Sequence, residues 1–151
     1  MKIKALLLCI AIGGTCYSQT INNFNSADLS VFAVVTTTLD HSASGSNTTW
    51  AFNNLVATGN TNSDVHSVPT AGEIGTYPGT TLALTITELP SMATTKVFTK
   101  NITNQISITG AEGTDFSLNY LTDNALIGTF PLSVGYLNID SCFRYIYFYF
   151  S

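Results

Sequence analysis

Short runs of apolar and β-branched residues, separated by Gly, Asn, Pro and Ser, are the feature that most constrains the fold of this chain. Runs of this kind, bounded by turn-forming residues, are typical of β-strands. No segment carries a helical apolar stripe longer than about two turns, which argues against a helical fold. The predicted strands cover residues 30–38, 48–57, 81–88, 94–99, 105–109, 116–121, 126–130 and 133–139.

The alternation of residue types along the strands predicts one buried and one solvated sheet face. In the run 81–88, Ala83 and three threonines alternate with larger apolar residues. The residues that this pattern directs inward are Leu82, Leu84, Ile86, Ile106 and Ile108. We therefore predict an all-β fold, an antiparallel β-sandwich of the jelly-roll or immunoglobulin-like kind. The Gly-, Asn- and Pro-rich segment 58–79 predicts a long irregular connection.

The N-terminal residues have the organisation of a secretory signal peptide. Two lysines precede an apolar run at 5–12, which is too short to span a bilayer. The small residues Cys16 and Ser18 predict cleavage before Gln19. Two alternatives stay open, namely acylation of Cys16 in a lipobox-like sequence and a buried first strand. The predicted organisation is a signal peptide at 1–18, a β-sandwich domain at 19–141 and an aromatic tail at 142–151.

Charge is scarce in this chain, and most of it is negative. Of 151 residues, five are Lys or Arg and nine are Asp or Glu. Removal of Lys2 and Lys4 with the leader leaves three cations against nine carboxylates. No basic patch is then left to neutralise phosphates, so we expect no nucleic-acid partner and no electrostatic docking on anionic lipid. We also expect no transmembrane segment in the mature chain.

Cysteine usage agrees with export without disulfide bonds. Cys9 and Cys16 lie in the predicted leader, so the mature chain retains Cys142 alone. A single cysteine forms no intramolecular disulfide and builds no cysteine-rich metal site. A domain of this length buries enough surface to fold without such a bond.

Several segments resemble the N-terminal region of secreted Bacteroidetes proteins that usually carry a C-terminal type IX secretion sorting domain. The resemblance rests on the run 44–55 around Trp50, on the Gly-Thr-Tyr-Pro-Gly segment at 75–79, and on the segments 110–116 and 126–132. Ala51 stands where these proteins commonly have Asp. The resemblance implies an exported protein and names no activity. It also implies a longer chain, since a sorting domain is absent from this sequence.

The last ten residues change composition sharply, with six aromatic side chains in the segment 142–151. We interpret this tail as the product of a truncation or a frame shift, which leaves the sandwich incomplete at its C-terminus. The alternative is a native edge strand, which needs cover on both faces because both carry aromatic or apolar side chains.

The sequence identifies no catalytic, cofactor-binding or metal-binding residue, and we expect no cofactor. A metal cluster of Asp40, His41, Asp64 and His66 has no support from spacing, and solvated loop histidines are the simpler interpretation. Glu112 and Asp115 flank a turn that lacks the dense ligand spacing of a calcium loop. Trp50 is interpreted as a core residue, with an exposed sugar-stacking platform as the alternative. Paired carboxylates for glycoside hydrolysis stay open, because such partners meet only in three dimensions.

These observations predict a secreted or cell-surface β module that is not an enzyme and that acts in adhesion or glycan contact. The expected partner is a glycan or another cell-surface component, and the oligomeric state is left open. The alternative is the accessory N-terminal part of a secreted hydrolase whose catalytic residues lie in a portion that this sequence does not contain.

Overall fold

The computed structural model describes residues 21–36, 55–133, 136–142 and 145–148. Four sequence-based predictions lie wholly or mostly outside these residues: the signal peptide at 1–18, the strand at 48–57, the Trp50 motif and the pair Asp40 and His41. The described elements are β1 (Ser30–Val35), β2 (Ala57–Ser67), α1 (Ala71–Thr76), β3 (Leu82–Leu89), β4 (Thr94–Ile102), β5 (Gln105–Glu112), β6 (Phe116–Asn119), β7 (Ala125–Thr129) and β8 (Tyr145–Phe148).

The eight described strands form one continuous antiparallel sheet. Strands β1 to β5 lie side by side in chain order. The second edge of β5 is shared, because β7 pairs with its first half and β6 with its last residues. Strand β8 then pairs with β6. The prediction of an all-β antiparallel fold is confirmed, whereas the sandwich stays a prediction because these strands belong to a single sheet.

The register aligns two rows of side chains on one face of the sheet, which we call the Phe98 face. Directly paired residues of antiparallel strands project to the same side, so each row can be read across the strands. The first row contains Ser67, Ala83, Phe98, Gly110 and Asn119. The second row contains Val65, Thr85, Lys96, Glu112 and Ser117.

A cluster of buried residues lies on the Phe98 face. The rings of Tyr77 and Phe98 stack with their centroids 4.2 Å apart and their planes at 19°. Together with Ala83 these two rings form a cluster from which water is almost completely excluded. Gly110 lies beneath the Tyr77 ring, where a Cβ atom would collide with Cδ1 and Cε1 of that ring. Tyr77 therefore fits only because residue 110 has no side chain.

Helix α1 is short and starts at a capping box. The Thr70 side chain accepts a hydrogen bond from the Glu73 N–H at 3.3 Å, and the Glu73 carboxylate accepts one from the Thr70 N–H at 2.7 Å. These reciprocal bonds satisfy two donors that a helix start otherwise leaves free. At the other end, the Tyr77 N–H donates to the Glu73 carbonyl at 2.7 Å. The helix thus delivers Tyr77 directly onto the sheet.

The prediction of a long irregular connection at 58–79 is wrong. Most of this segment is β2 followed by α1. Asn, Ser and Gly are poor strand formers, but β2 pairs with β1 on one side and β3 on the other, so its backbone donors and acceptors are satisfied by neighbours. Tertiary pairing overrides local propensity here.

The prediction of a strand at 133–139 is also wrong for the part of it that the structure describes. Residues 136–140 contact β7 through side chains instead of a backbone ladder. The Tyr136 hydroxyl accepts from the Thr129 N–H at 3.0 Å, and a carboxylate oxygen of Asp140 accepts from the Leu126 N–H at 2.6 Å. Side chains here take the places that a neighbouring strand's backbone would occupy.

The face prediction for β3 needs a correction. Leu82, Leu84 and Ile86 are half-buried, whereas Ala83 on the opposite face has no exposed surface. The cause is Tyr77, which covers the face that alternation marks as polar. On β5 the inward placement of Ile106 is confirmed, since its exposed fraction is 3%, while Ile108 is half-buried. In the tail, Tyr145–Phe148 form β8, which pairs with β6.

We expect Gly110→Ala to lower the stability of the fold by about 2 kcal/mol or more, because overpacking forces Tyr77 off the sheet. The added Cβ would also lie 2.7 Å from the Leu118 carbonyl oxygen, and that backbone cannot move away easily. The measurement is the thermal midpoint, with an expected fall of about 5 °C or more. Gly72→Ala in α1 is the control, since nothing lies within 4 Å of the added atom. An unchanged midpoint for Gly110→Ala would contradict the packing.

Candidate functional site

A cleft of about 360 Å³ opens on the Phe98 face, between the end of α1 and the turn from β5 to β6. We call it the Lys96 cleft. It is a polar depression whose lining includes two aromatic residues, the buried Tyr77 and the half-buried Phe116. The lining residues with functional groups include Thr76, Tyr77, Lys96, Glu112, Thr114 and Ser117. Ammonium, carboxylate and hydroxyl groups therefore converge on one opening.

The sheet register explains why these groups meet. Lys96 on β4 pairs with Glu112 on β5, and Glu112 pairs with Ser117 on β6. Paired residues project to the same face, so the three side chains stand in one line across neighbouring strands. Phe116 follows the turn and its ring packs over Gly113, since a Cβ added to that glycine would lie 2.6 Å from the ring.

Tyr77 fixes the floor of the cleft through its hydroxyl group. The Tyr77 hydroxyl donates to Oε2 of Glu112 at 3.3 Å and lies 3.1 Å from the Ser117 hydroxyl. Since a phenol has one proton to give, Ser117 is the donor in its contact with Tyr77. The hydrogen bonds from Ser117 to Tyr77 and from Tyr77 to Glu112 orient the Glu112 carboxylate at the floor of the cleft. The ring itself is buried, so the hydroxyl is held by packing as well as by hydrogen bonds.

The wall formed by α1 carries the one ion pair found among the described residues. Lys96 Nζ lies 2.7 Å from Oε1 of Glu73. The hydrogen bond from Lys96, together with those from Thr70, lowers the pKa of Glu73 to about 2. The hydrogen bond to Glu73 raises the pKa of Lys96 in turn, and the negative charge of Glu112 adds to that effect. Both groups therefore stay charged throughout the neutral range.

This electrostatic arrangement limits the chemistry of the cleft. A glycosidase acid must be protonated near neutral pH, which requires a raised pKa. Glu73 has the opposite property, because its carboxylate accepts hydrogen bonds from Lys96 and Thr70. Glu73 is therefore unsuited to the role of proton donor. The oriented groups are instead suited to hydrogen bonding with a ligand that offers hydroxyl groups.

The residues considered from sequence as metal ligands do not assemble into a site in the described parts of the chain. Asp64 is buried, and its carboxylate accepts from the Ser26 hydroxyl at 2.6 Å. His66 shares a sheet face with Asp64, and the backbone N–H of His66 donates to the Asp28 carboxylate at 2.8 Å. The Glu112 carboxylate accepts a hydrogen bond from the Tyr77 hydroxyl. Within these residues, no group of three His, Cys, Asp or Glu is placed to hold a metal ion.

Sequence reasoning missed most of the Lys96 cleft. It singled out Glu112, but it assigned no role to Lys96, Tyr77 or Ser117. The one available signal was the pattern Thr70-x-x-Glu73, which marks a helix start and so places Glu73 on a rigid element. The contact between Tyr77 and Glu112 spans 35 residues of sequence, and no local pattern indicates it.

Comparison with known proteins identifies no relative of this chain. No family model, curated protein or solved structure matches it significantly. Across the described residues, no helix has the length and apolar character needed to cross a membrane. The function must therefore be argued from the cleft itself.

The Glu73 contacts make stability depend on pH in the acid range. A lowered pKa means that the folded state favours the ionised carboxylate, so its contribution is complete above about pH 4.5 and is lost as pH falls towards 2. Glu73→Gln should lower the free energy of unfolding by about 0.5–1 kcal/mol at neutral pH, a small loss because Lys96 is partly solvated. The variant should also lose less stability than the unsubstituted chain as the pH falls from 4.5 towards 2.

Thermal unfolding from pH 7 to pH 2 measures this effect. Glu88→Gln alters an exposed carboxylate on β3 and is the matched control. Its thermal midpoint should depend on pH in the same way as that of the unsubstituted chain. Identical pH profiles for Glu73→Gln and the unsubstituted chain would contradict the assignment.

Proposed function

We propose that this chain is an exported, non-catalytic β module that contacts a neutral glycan through the Lys96 cleft. The observation that carries the proposal is the lining of this cleft. Its lining offers hydroxyl groups, a carboxylate and an ammonium group, and the half-buried Phe116 adds an aromatic ring. Sugars present hydroxyl groups that both donate and accept, together with apolar C–H faces, and this lining complements both.

Charge supports a neutral ligand in preference to an acidic one. Two carboxylates, Glu73 and Glu112, lie close to the single ammonium group of Lys96. The ammonium is already neutralised by Glu73, so the local charge is negative. A uronate or sulfate group entering the cleft would meet an uncompensated carboxylate at Glu112, and like charges at short range are unfavourable.

Export and surface location form the second half of the proposal. They are supported by the predicted signal peptide at 1–18, by the low cation content and by the resemblance to secreted Bacteroidetes proteins. A fold held by backbone pairing and polar turns suits such an environment. The module then acts in adhesion or polysaccharide contact at the surface of the cell that exports it.

The test is binding of the purified chain to a panel of neutral polysaccharides, followed by titration calorimetry on the best ligand. Phe116→Leu keeps an apolar side chain but removes the aromatic face, so affinity should fall up to about tenfold, equivalent to about 1.4 kcal/mol. Phe32→Leu is the matched control. Phe32 lies on β1 with 49% of its surface exposed, on the face opposite to Phe98.

Two results would contradict the proposal. One is a folded chain that binds no glycan in the panel. The other is an equal loss of affinity for Phe116→Leu and Phe32→Leu, which would place the ligand elsewhere. Equal thermal midpoints for both variants ensure that any loss reflects the cleft and not unfolding.

A further inference from the structure

A second polar cleft of about 590 Å³ lies on the same sheet face as the Lys96 cleft. We call it the Lys100 cleft. It opens between the start of β5, the loop before β7 and the segment that follows Tyr77. The lining residues on which the inference depends are Pro78, Lys100, Gln105, Ser107, Asp123 and Asn124. They offer the same types of group as the first cleft, with amides in place of some hydroxyls.

The two clefts are arranged by strand β4. Lys96, Phe98 and Lys100 alternate along it, so all three project to the Phe98 face. Lys96 and Lys100 are four residues apart, a separation of about 13 Å along an extended strand. Phe98 between them carries the Tyr77 stack. The clefts therefore flank a rigid ridge, and Pro78 is exposed on that ridge.

The Lys100 side chain lies in close contact with the backbone at Gly79, which follows Pro78. A Cβ atom added to Gly79 would lie 3.2 Å from Cδ and 3.4 Å from Nζ of Lys100, so this side chain runs along the glycine. Gly79 also has a φ of +83°, a conformation that favours glycine. Because residue 79 is glycine, the aliphatic part of the Lys100 side chain can lie directly against the backbone between the two clefts.

Each cleft combines carboxylate groups with one lysine ammonium group. The lining of the Lys100 cleft contains two carboxylates, Asp123 and Asp140, and one ammonium group. The Lys96 cleft is lined by one carboxylate, Glu112, and one ammonium group, with which the neighbouring Glu73 forms an ion pair. Two clefts of similar chemistry, on one face and separated by more than the width of a sugar ring, are suited to successive units of one linear ligand.

We infer that the two clefts form a single extended binding track for a neutral oligosaccharide, which crosses the ridge at Pro78 and occupies both. This inference rests on the proposed function and specifies its ligand as a linear chain of several sugars. Linked contacts reinforce each other, because the second cleft is filled by an intramolecular step once the first is occupied. Affinity must then rise with chain length until both clefts are filled.

Chain-length dependence is the test. Calorimetry on the purified chain compares disaccharides and hexasaccharides of β-1,4-linked glucose, β-1,4-linked mannose and α-1,4-linked glucose. For the series that binds, we expect the hexasaccharide to bind at least tenfold tighter than the disaccharide. Asn124→Ala in the Lys100 cleft should remove most of that gain and leave disaccharide affinity unchanged. Asn62→Ala, on the opposite sheet face, should change neither.

The outcomes separate this inference from the proposed function. Equal affinity for disaccharide and hexasaccharide, with Phe116→Leu still weakening both, would overturn the extended track and leave the single cleft standing. Absence of binding at every length, or binding of an uncharged extended peptide in place of any sugar, would overturn both. Tighter binding of an alginate hexasaccharide than of any neutral one would overturn the neutral track.

Discussion

The stack of Tyr77 on Phe98 above Gly110 is the contact on which the rest of the described structure depends. It joins the only helix in the described residues to the middle of the sheet, and it buries the largest side chains found there. The polar end of the same ring reaches Glu112 and Ser117. One residue therefore couples the apolar core to the floor of the candidate site, so packing and site geometry cannot change independently.

This coupling explains why a sheet with a small core can present ordered polar groups. The Glu112 carboxylate accepts a hydrogen bond from the Tyr77 hydroxyl, whose position is fixed because the Tyr77 ring is buried against Phe98 of β4 and Gly110 of β5. Lys96 is held from the side by Glu73, which the capping box fixes at the start of α1. Groups fixed in this way lose little further freedom when a ligand binds, which favours recognition by hydrogen bonds. The ridge also separates the two clefts at a fixed distance.

Strands β3 and β5 could be predicted from sequence because polar and aliphatic residues alternate along them, and β4 because it is a run of β-branched and apolar residues. Strand β2 could not, since a run containing Gly59, Asn60 and Asn62 has low strand propensity and is held by partners on both sides. The burial of Ala83 could not be predicted from the sequence either, because it depends on the Tyr77 ring that covers it. Of the site, sequence indicated Glu112 alone. Its partners come from other elements, and only the register of the sheet brings them into one row.

The most direct test of the account is a nuclear Overhauser measurement on the aromatic protons of Tyr77 in the purified, labelled chain. We expect strong cross-peaks from the Tyr77 ring to the Phe98 ring and to the α protons of Gly110. The Gly110 α protons should also be shifted upfield by the ring that covers them. Cross-peaks from Tyr77 confined to its own helix, with Gly110 at ordinary shifts, would contradict the account, because neither the core nor the cleft floor could then exist as described.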